Sequence, residues 1–217
     1  MENDFVYREI NPHSVEDINK YLEIHQQLNT FLKKKVKPLT EDQIKWMRIR
    51  MGAVELLNEE QQKSEYAQGL LNKPDEICIV CEFNNEIIGY IYVNTYNVKN
   101  GERTNDDVGI ISDIFVKKEF RNSVIAFKLL KIGVNKLIEF GKYRAICNVQ
   151  EDNENRFLHF AMADGNVVST HKCVRNDETE TIDYELLIDL KKLEKTTVKE
   201  IAVKAAKYRK EFISKSK

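Results

Sequence analysis

One stretch limits the fold more than any other. Val108 to Val116 reads VGIISDIFV, an apolar run of strand length, and a charged turn, KKEFRNS, follows it. Phe127, Leu130, Val134 and Leu137 then recur at helical spacing until Gly141 stops them, and YRAICNV resumes as a strand. A strand, a helix and a strand in direct succession form a crossover unit. Set among hairpins, that unit implies an α+β fold with a mixed central sheet flanked by helices.

The rest of the chain supplies the flanking elements. FVYREI reads as a first strand, and Ser14 caps a helix carried by Ile18, Tyr21, Leu22, Leu28 and Leu32. TEDQ at Thr40–Gln43 is a capping box for a second helix carried by Ile44, Met47, Met51 and Val54. Ile77–Phe83 and Ile87–Val93 form a hairpin across Asn84–Glu86, and Gly89 marks a bulge or a close backbone approach. NVKNGERTNDD reads as a loop. NENRFLHFAMADG reads as a short helix closed by Gly165, and Asn166–Val174 with Glu180–Ile188 as a last hairpin.

Composition excludes several classes. With 42% hydrophobic and 32% charged residues the chain is of globular type, and it holds no apolar run of membrane-spanning length. The acidic start MENDFVYREI lacks a signal-peptide core, so a cytoplasmic protein with no membrane association is expected. Cys78 and Cys81 form a CxxC pair, but they lie on one strand and three residues apart, so their thiols point to opposite faces. No second pair accompanies them and the histidines are scattered, which implies buried structural cysteines and no metal.

The opening stretch resembles the signature of the GCN5-related N-acetyltransferase (GNAT) family, in which an apolar strand and a charged turn lead into Arg/Gln-x-x-Gly-x-Gly/Ala at a helix start. Asp113 to Arg121 matches the strand and turn, NNEIIGYIYV is similar to the family's third strand region, and NENRFLHFAMADGN to its next motif. The resemblance spans residues 5–189 and implies a domain at 1–189 that takes acetyl-CoA as acyl donor and an amine of a small molecule or protein as acceptor. Arg121, Asn122, Ser123, Val124, Ile125 and Ala126 would cradle the pyrophosphate. Phe115 and Val116 would meet the pantetheine arm, and Asn155 would contact the coenzyme from the next motif. The physics is general: a helix start offers free N–H groups and partial positive charge to a phosphate.

The chain also departs from that pattern. The glycines that usually precede the helix are replaced, and Val124 is β-branched. Ser112 stands where several family members have a glutamate, and Ala161 where they have an acidic tyrosine. Asp106, Asp107 and Asp113 remain as bases acting through water, with Asp113 favoured, and His159 lies nearby. These substitutions support a second reading, an acetyltransferase fold that has lost catalysis and binds or assembles instead through a basic C-terminal helix.

The last 27 residues, 191–217, carry ten Lys/Arg against three Glu. Val198, Ile201, Ala205, Tyr208 and Phe212 set an apolar stripe, so residues 190–217 are expected as a basic amphipathic helical tail. It packs on its own domain, or joins a protein partner or a second copy through residues 198–212. Its aromatics lie on the packing stripe, which argues against nucleic acid.

Overall fold

The computed structural model describes residues 5–11, 14–31, 75–99, 102–121, 124–151, 153, 156–174 and 180–215. The second helix expected from Thr40 lies outside the described residues, as does Leu32. The elements are β1 (Val6–Glu9), α1 (Val15–Phe31), β2 (Glu76–Phe83), β3 (Glu86–Asn94), β4 (Asn97–Lys99), β5 (Glu102–Thr104), β6 (Val108–Val116), a 3-10 turn (Lys118–Phe120), α2 (Ile125–Glu139), β7 (Arg144–Gln150), α3 (Arg156–Met162), β8 (Val167–Val174), β9 (Glu180–Asp189), α4 (Leu190–Lys195) and α5 (Val198–Lys215).

Seven strands form one mixed sheet in the order β1-β2-β3-β6-β7-β9-β8. Among the described strands only β6 and β7, joined by the α2 crossover, pair in parallel. The β2–β3 hairpin turns through Asn84 and Asn85, with φ of 50° and 64°, the left-handed pair that a two-residue turn requires and asparagine tolerates. Both expectations for Gly89 are met. Ile88 is the extra residue where Cys81 pairs with Gly89 and Glu82 with Ile87. A Cβ on Gly89 would stand 3.0 Å from the Phe115 carbonyl oxygen. The loop expected at 97–107 instead holds a small separate hairpin, β4–β5. Val98 is its one apolar side chain, so it lacks the apolar alternation that announces a strand.

A core lies on each face of the sheet. Ile18, Tyr21, Ile24 and Leu28 of α1 pack with Cys78, Val80, Tyr90, Tyr92 and Phe115. On the other face Ile125, Leu129, Leu130, Val134 and Leu137 of α2 pack with Ile79, Cys81, Ile91, Val93 and Cys147. Cys78 and Cys81 therefore diverge as their spacing requires. Burial pushes the Cys147 thiol up to about 12, so it remains an unreactive thiol at neutral pH. Arg8 ties β1, α1 and β2 together: its guanidinium donates to Asp17 at 2.6 and 2.7 Å and to Glu82 at 2.7 and 3.0 Å.

The C-terminal segment forms two helices rather than one. Asp189 caps α4 by accepting from Lys192 N at 2.9 Å. Thr197 and Glu200 form a reciprocal capping box that starts α5. Ile201 and Ala205 are buried in the α2-side core, while Val198 at 38% exposure stays outside it. Gly165, at φ 74°, lies under Tyr208, whose hydroxyl would stand 2.7 Å from a Cβ there. Among the described residues, no helix is long and apolar enough to cross a membrane.

Candidate functional site

The parallel ladder of β6 and β7 is short. It joins only Val108–Ile110 to Arg144–Ile146. Beyond it β6 pairs with β3 alone and β7 with β9 alone, so a wedge opens between two strands that began side by side. A bulge accompanies the divergence. Tyr92 pairs with Asp113 and Val93 with Ile111, leaving Ser112 as an extra residue in β6. Bulges bend and twist the strand that carries them. Asn94 holds this point, its Nδ2 donating to Ser112 Oγ at 3.1 Å.

Main-chain alternation decides which groups line the wedge. Lys117 N donates to Ile88 O at 2.8 Å, so the main chain of Lys117 and Phe115 turns toward β3. The main-chain groups of Ile114 and Val116 turn the other way, toward the opening. Phe115 contributes its ring instead, on the α1 side. It floors an open pocket of about 470 Å³ between Glu23, Gln26 and Gln27 of α1 and the turn residues Lys118, Glu119 and Arg121.

Arg121 is fixed in that turn. Its Nε donates to the Val116 carbonyl at 3.0 Å, and its guanidinium lies 5.3 Å from the centre of the Phe115 ring. α2 then begins at the mouth of the wedge. Val124 is its N-cap, with φ −75°, ψ 0° and no side-chain capping bond. That backbone conformation suits any L-residue, so the missing glycine freedom is not needed at this position. The Val124 side chain is 49% exposed, whereas Ile125 is wholly buried. Lys128 N donates to Val124 O at 2.9 Å, and the N–H groups before it lack an intrahelical acceptor. These features fit a phosphate ligand. Asn122, Ser123 and Asn155 lie outside the described residues.

Asp113 sits beside the bulge. Burial, and secondly the charge of Asp113, raise the Tyr90 hydroxyl well above its ordinary value, and the same two causes act on Cys78. Both neighbours belong to the α1-side core, so Asp113 acts on that face. Asp106 and Asp107 are placed elsewhere. They precede β6, about 20 Å from Asp113 along an extended strand. Asp106 Oδ1 accepts from Val108 N, and Asp107 is bound to the Arg144 guanidinium. Ala161 is buried in the core at 3% exposure, with no hydroxyl where the family resemblance puts an acid.

A polar network on the α1 face escaped sequence reasoning. Glu76 accepts from the Tyr92 hydroxyl at 2.6 Å and from the Tyr96 hydroxyl at 2.9 Å. His25 Nδ1 lies 2.9 Å from the Tyr90 hydroxyl. The signal available was the tyrosine alternation of Tyr90, Tyr92 and Tyr96, which reads equally as ordinary strand packing.

A sheet whose central parallel strands diverge over a helix start is the fold of acetyltransferases. The profile of the acetyltransferase (GNAT) family matches residues 42–161, more than half of the 217-residue chain. The chain belongs to the GNAT acetyltransferase family. No curated protein matches it. Among solved structures it is similar to the ribosomal-protein-alanine N-acetyltransferase of Brucella melitensis, with 13% identity, a TM-score of 0.57, and coverage of 85% of this chain and 99% of the other. An N-acetyltransferase of Staphylococcus aureus aligns at 17% identity and TM-score 0.56, covering 87% and 99%. The PaiA N-acetyltransferase of Thermoplasma acidophilum, solved in complex with coenzyme A, aligns at 12% identity and TM-score 0.51, covering 85% and 98%. At these identities the likeness establishes the fold.

Proposed function

We propose that the protein is an acyl-CoA-dependent N-acyltransferase that moves an acetyl group to the amine of a small molecule or protein. The observation that carries this reading is the wedge between β6 and β7 with the α2 start at its mouth. The first-turn N–H groups of α2 would hold the pyrophosphate, with Arg121 beside them. The outward main-chain groups of Ile114 and the N–H of Val116, whose carbonyl is taken by Arg121, would meet the pantetheine arm. When bound, acyl-CoA supplies a thioester carbonyl open to attack by an amine. Asp113, on the face where the amine enters, takes the proton that the attacking nitrogen loses, directly or through one water. The C–N bond forms as the C–S bond breaks, and the thiolate takes a proton from solvent.

The test is a thermal melt with acetyl-CoA. A ligand that binds only the folded chain raises Tm. Asp113→Asn is expected to keep that rise and to lose amine acetylation across an amine panel. No rise at millimolar acetyl-CoA would refute the reading. Buried Ala161, in place of a hydroxyl acid, favours a second reading: a binding protein without turnover. A normal rise with no acetylation of any amine by the unaltered protein selects it.

A further inference from the structure

β7 ends at Gln150 and α3 begins at Arg156, so Arg156 stands at the same end of the sheet as Val124, which follows β6. Its surroundings are unusual for an arginine. The guanidinium carbon lies 4.5 Å from the centre of the Phe157 ring and 5.2 Å from that of Phe212. The Arg156 Nε is buried and has no hydrogen-bond partner. Among the described residues no carboxylate forms an ion pair with the guanidinium, although Glu151 lies on the same connection. Arg8 and Arg144, by contrast, both clasp carboxylates.

One of the two rings comes from the far end of the chain. α5 runs antiparallel to α3, and three contacts fix its direction. Lys204 binds Asp164 just beyond the end of α3, Tyr208 covers Gly165 and Phe160, and Phe212 meets Phe157 at 5.9 Å. α5 therefore climbs toward the mouth of the wedge and delivers Phe212 onto Arg156. The helix is held along this path by Ile201 and Ala205 in the core.

A cation whose inner nitrogen is desolvated and which has no carboxylate partner among the described residues is electrostatically incomplete. Stacking on two rings fixes the planar fork and leaves its outer N–H groups to bind a planar or tetrahedral oxyanion. We infer that Arg156 is an anion-binding residue for a phosphate of the acyl donor, and that the C-terminal helix α5 is part of the donor site because Phe212 holds Arg156 in place. The inference rests on the acyl-CoA reading above. It gives the basic tail a role at the site without any partner: α5 acts on the donor through one aromatic ring.

The experiment is calorimetric titration of acetyl-CoA into the full-length protein and its Arg156→Gln, Arg156→Lys and Phe212→Leu variants, at several salt concentrations. Each variant is melted without ligand as a control. Arg156→Gln is expected to weaken binding about tenfold or more and to flatten its salt dependence, since one charged contact is lost. Arg156→Lys should recover part of the affinity. Phe212→Leu, with Arg156 intact, should weaken binding several-fold. If the unaltered protein binds acetyl-CoA and Arg156→Gln binds it equally well, Arg156 is a packing residue only and the inference is overturned, whatever the change in Tm. If Arg156→Gln does not fold, Phe212→Leu decides: unchanged affinity overturns the role of α5. Failure of the unaltered protein to bind acetyl-CoA overturns the acyl-CoA reading itself.

Discussion

Asp17 shows how one side chain couples three elements to pH. The Arg8 guanidinium holds its carboxyl below the usual range, and the Asn11 N–H adds to the effect against the opposing cost of burial. A depressed carboxylate in the folded chain contributes stability above the unfolded value, about 3.9 for aspartate, and that stability is lost as pH falls through the lower folded value. Urea midpoints of the native protein should therefore fall steeply as pH drops below about 4. Asp17→Asn should start from a lower midpoint at pH 7 and show a flatter decline in acid. Equal slopes for the two proteins would show that the Arg8 cluster is not what acid breaks. Glu82, the second acceptor of Arg8, remains in the variant, so Arg8 keeps one carboxylate partner.

On the proposed acyl-CoA reading the deciding element is α2, and its first turn joins two demands. The N-cap position favours Ser, Thr, Asp or Asn, each of which satisfies a first-turn N–H. Val124 satisfies none. A cap residue without a side-chain acceptor costs the apo protein stability. Val124→Asp should fill the cap and raise apo stability by about 0.5–2 kcal/mol. It should also set a negative charge against the phosphates and abolish the acetyl-CoA rise in Tm. A variant that gained stability and still bound acetyl-CoA as before would move the donor away from this helix start. At the neighbouring element, β6, the extra residue Ser112 sets which side chains lie on each face of the strand. Sequence reasoning placed Phe115 and Val116 at the donor; the strand alternation turns the main chain of Ile114 and Val116 to the opening and leaves Phe115 a side-chain role.

At the scale of the whole molecule, the tail belongs to the body. Ile201 is fully buried among residues from the sheet, α2 and α4. Ile201→Ala should cost about 2–5 kcal/mol, read as a lower urea midpoint. A cost near zero would mean that α5 leaves the body in solution and that its stripe is open to a partner.

Much of this architecture was legible in local sequence. The β2–β3 turn needs two residues tolerant of positive φ, and Asn84–Asn85 supplies them. The Ser14 cap, the α2 period and the opposite faces of Cys78 and Cys81 likewise depend only on chain geometry within a few residues. Even the start of α5 was written in Thr197 and Glu200. The site was legible only as a region, because its working features are relations between distant segments. The wedge exists because β6 follows β3 after Ile110 while β7 follows β9. Arg8 finds Glu82, and Arg156 finds Phe212, across long intervals of chain. Local propensity says what a segment prefers; which groups meet, and which charge is left without a partner, is decided only when the sheet order and the path of α5 bring them together.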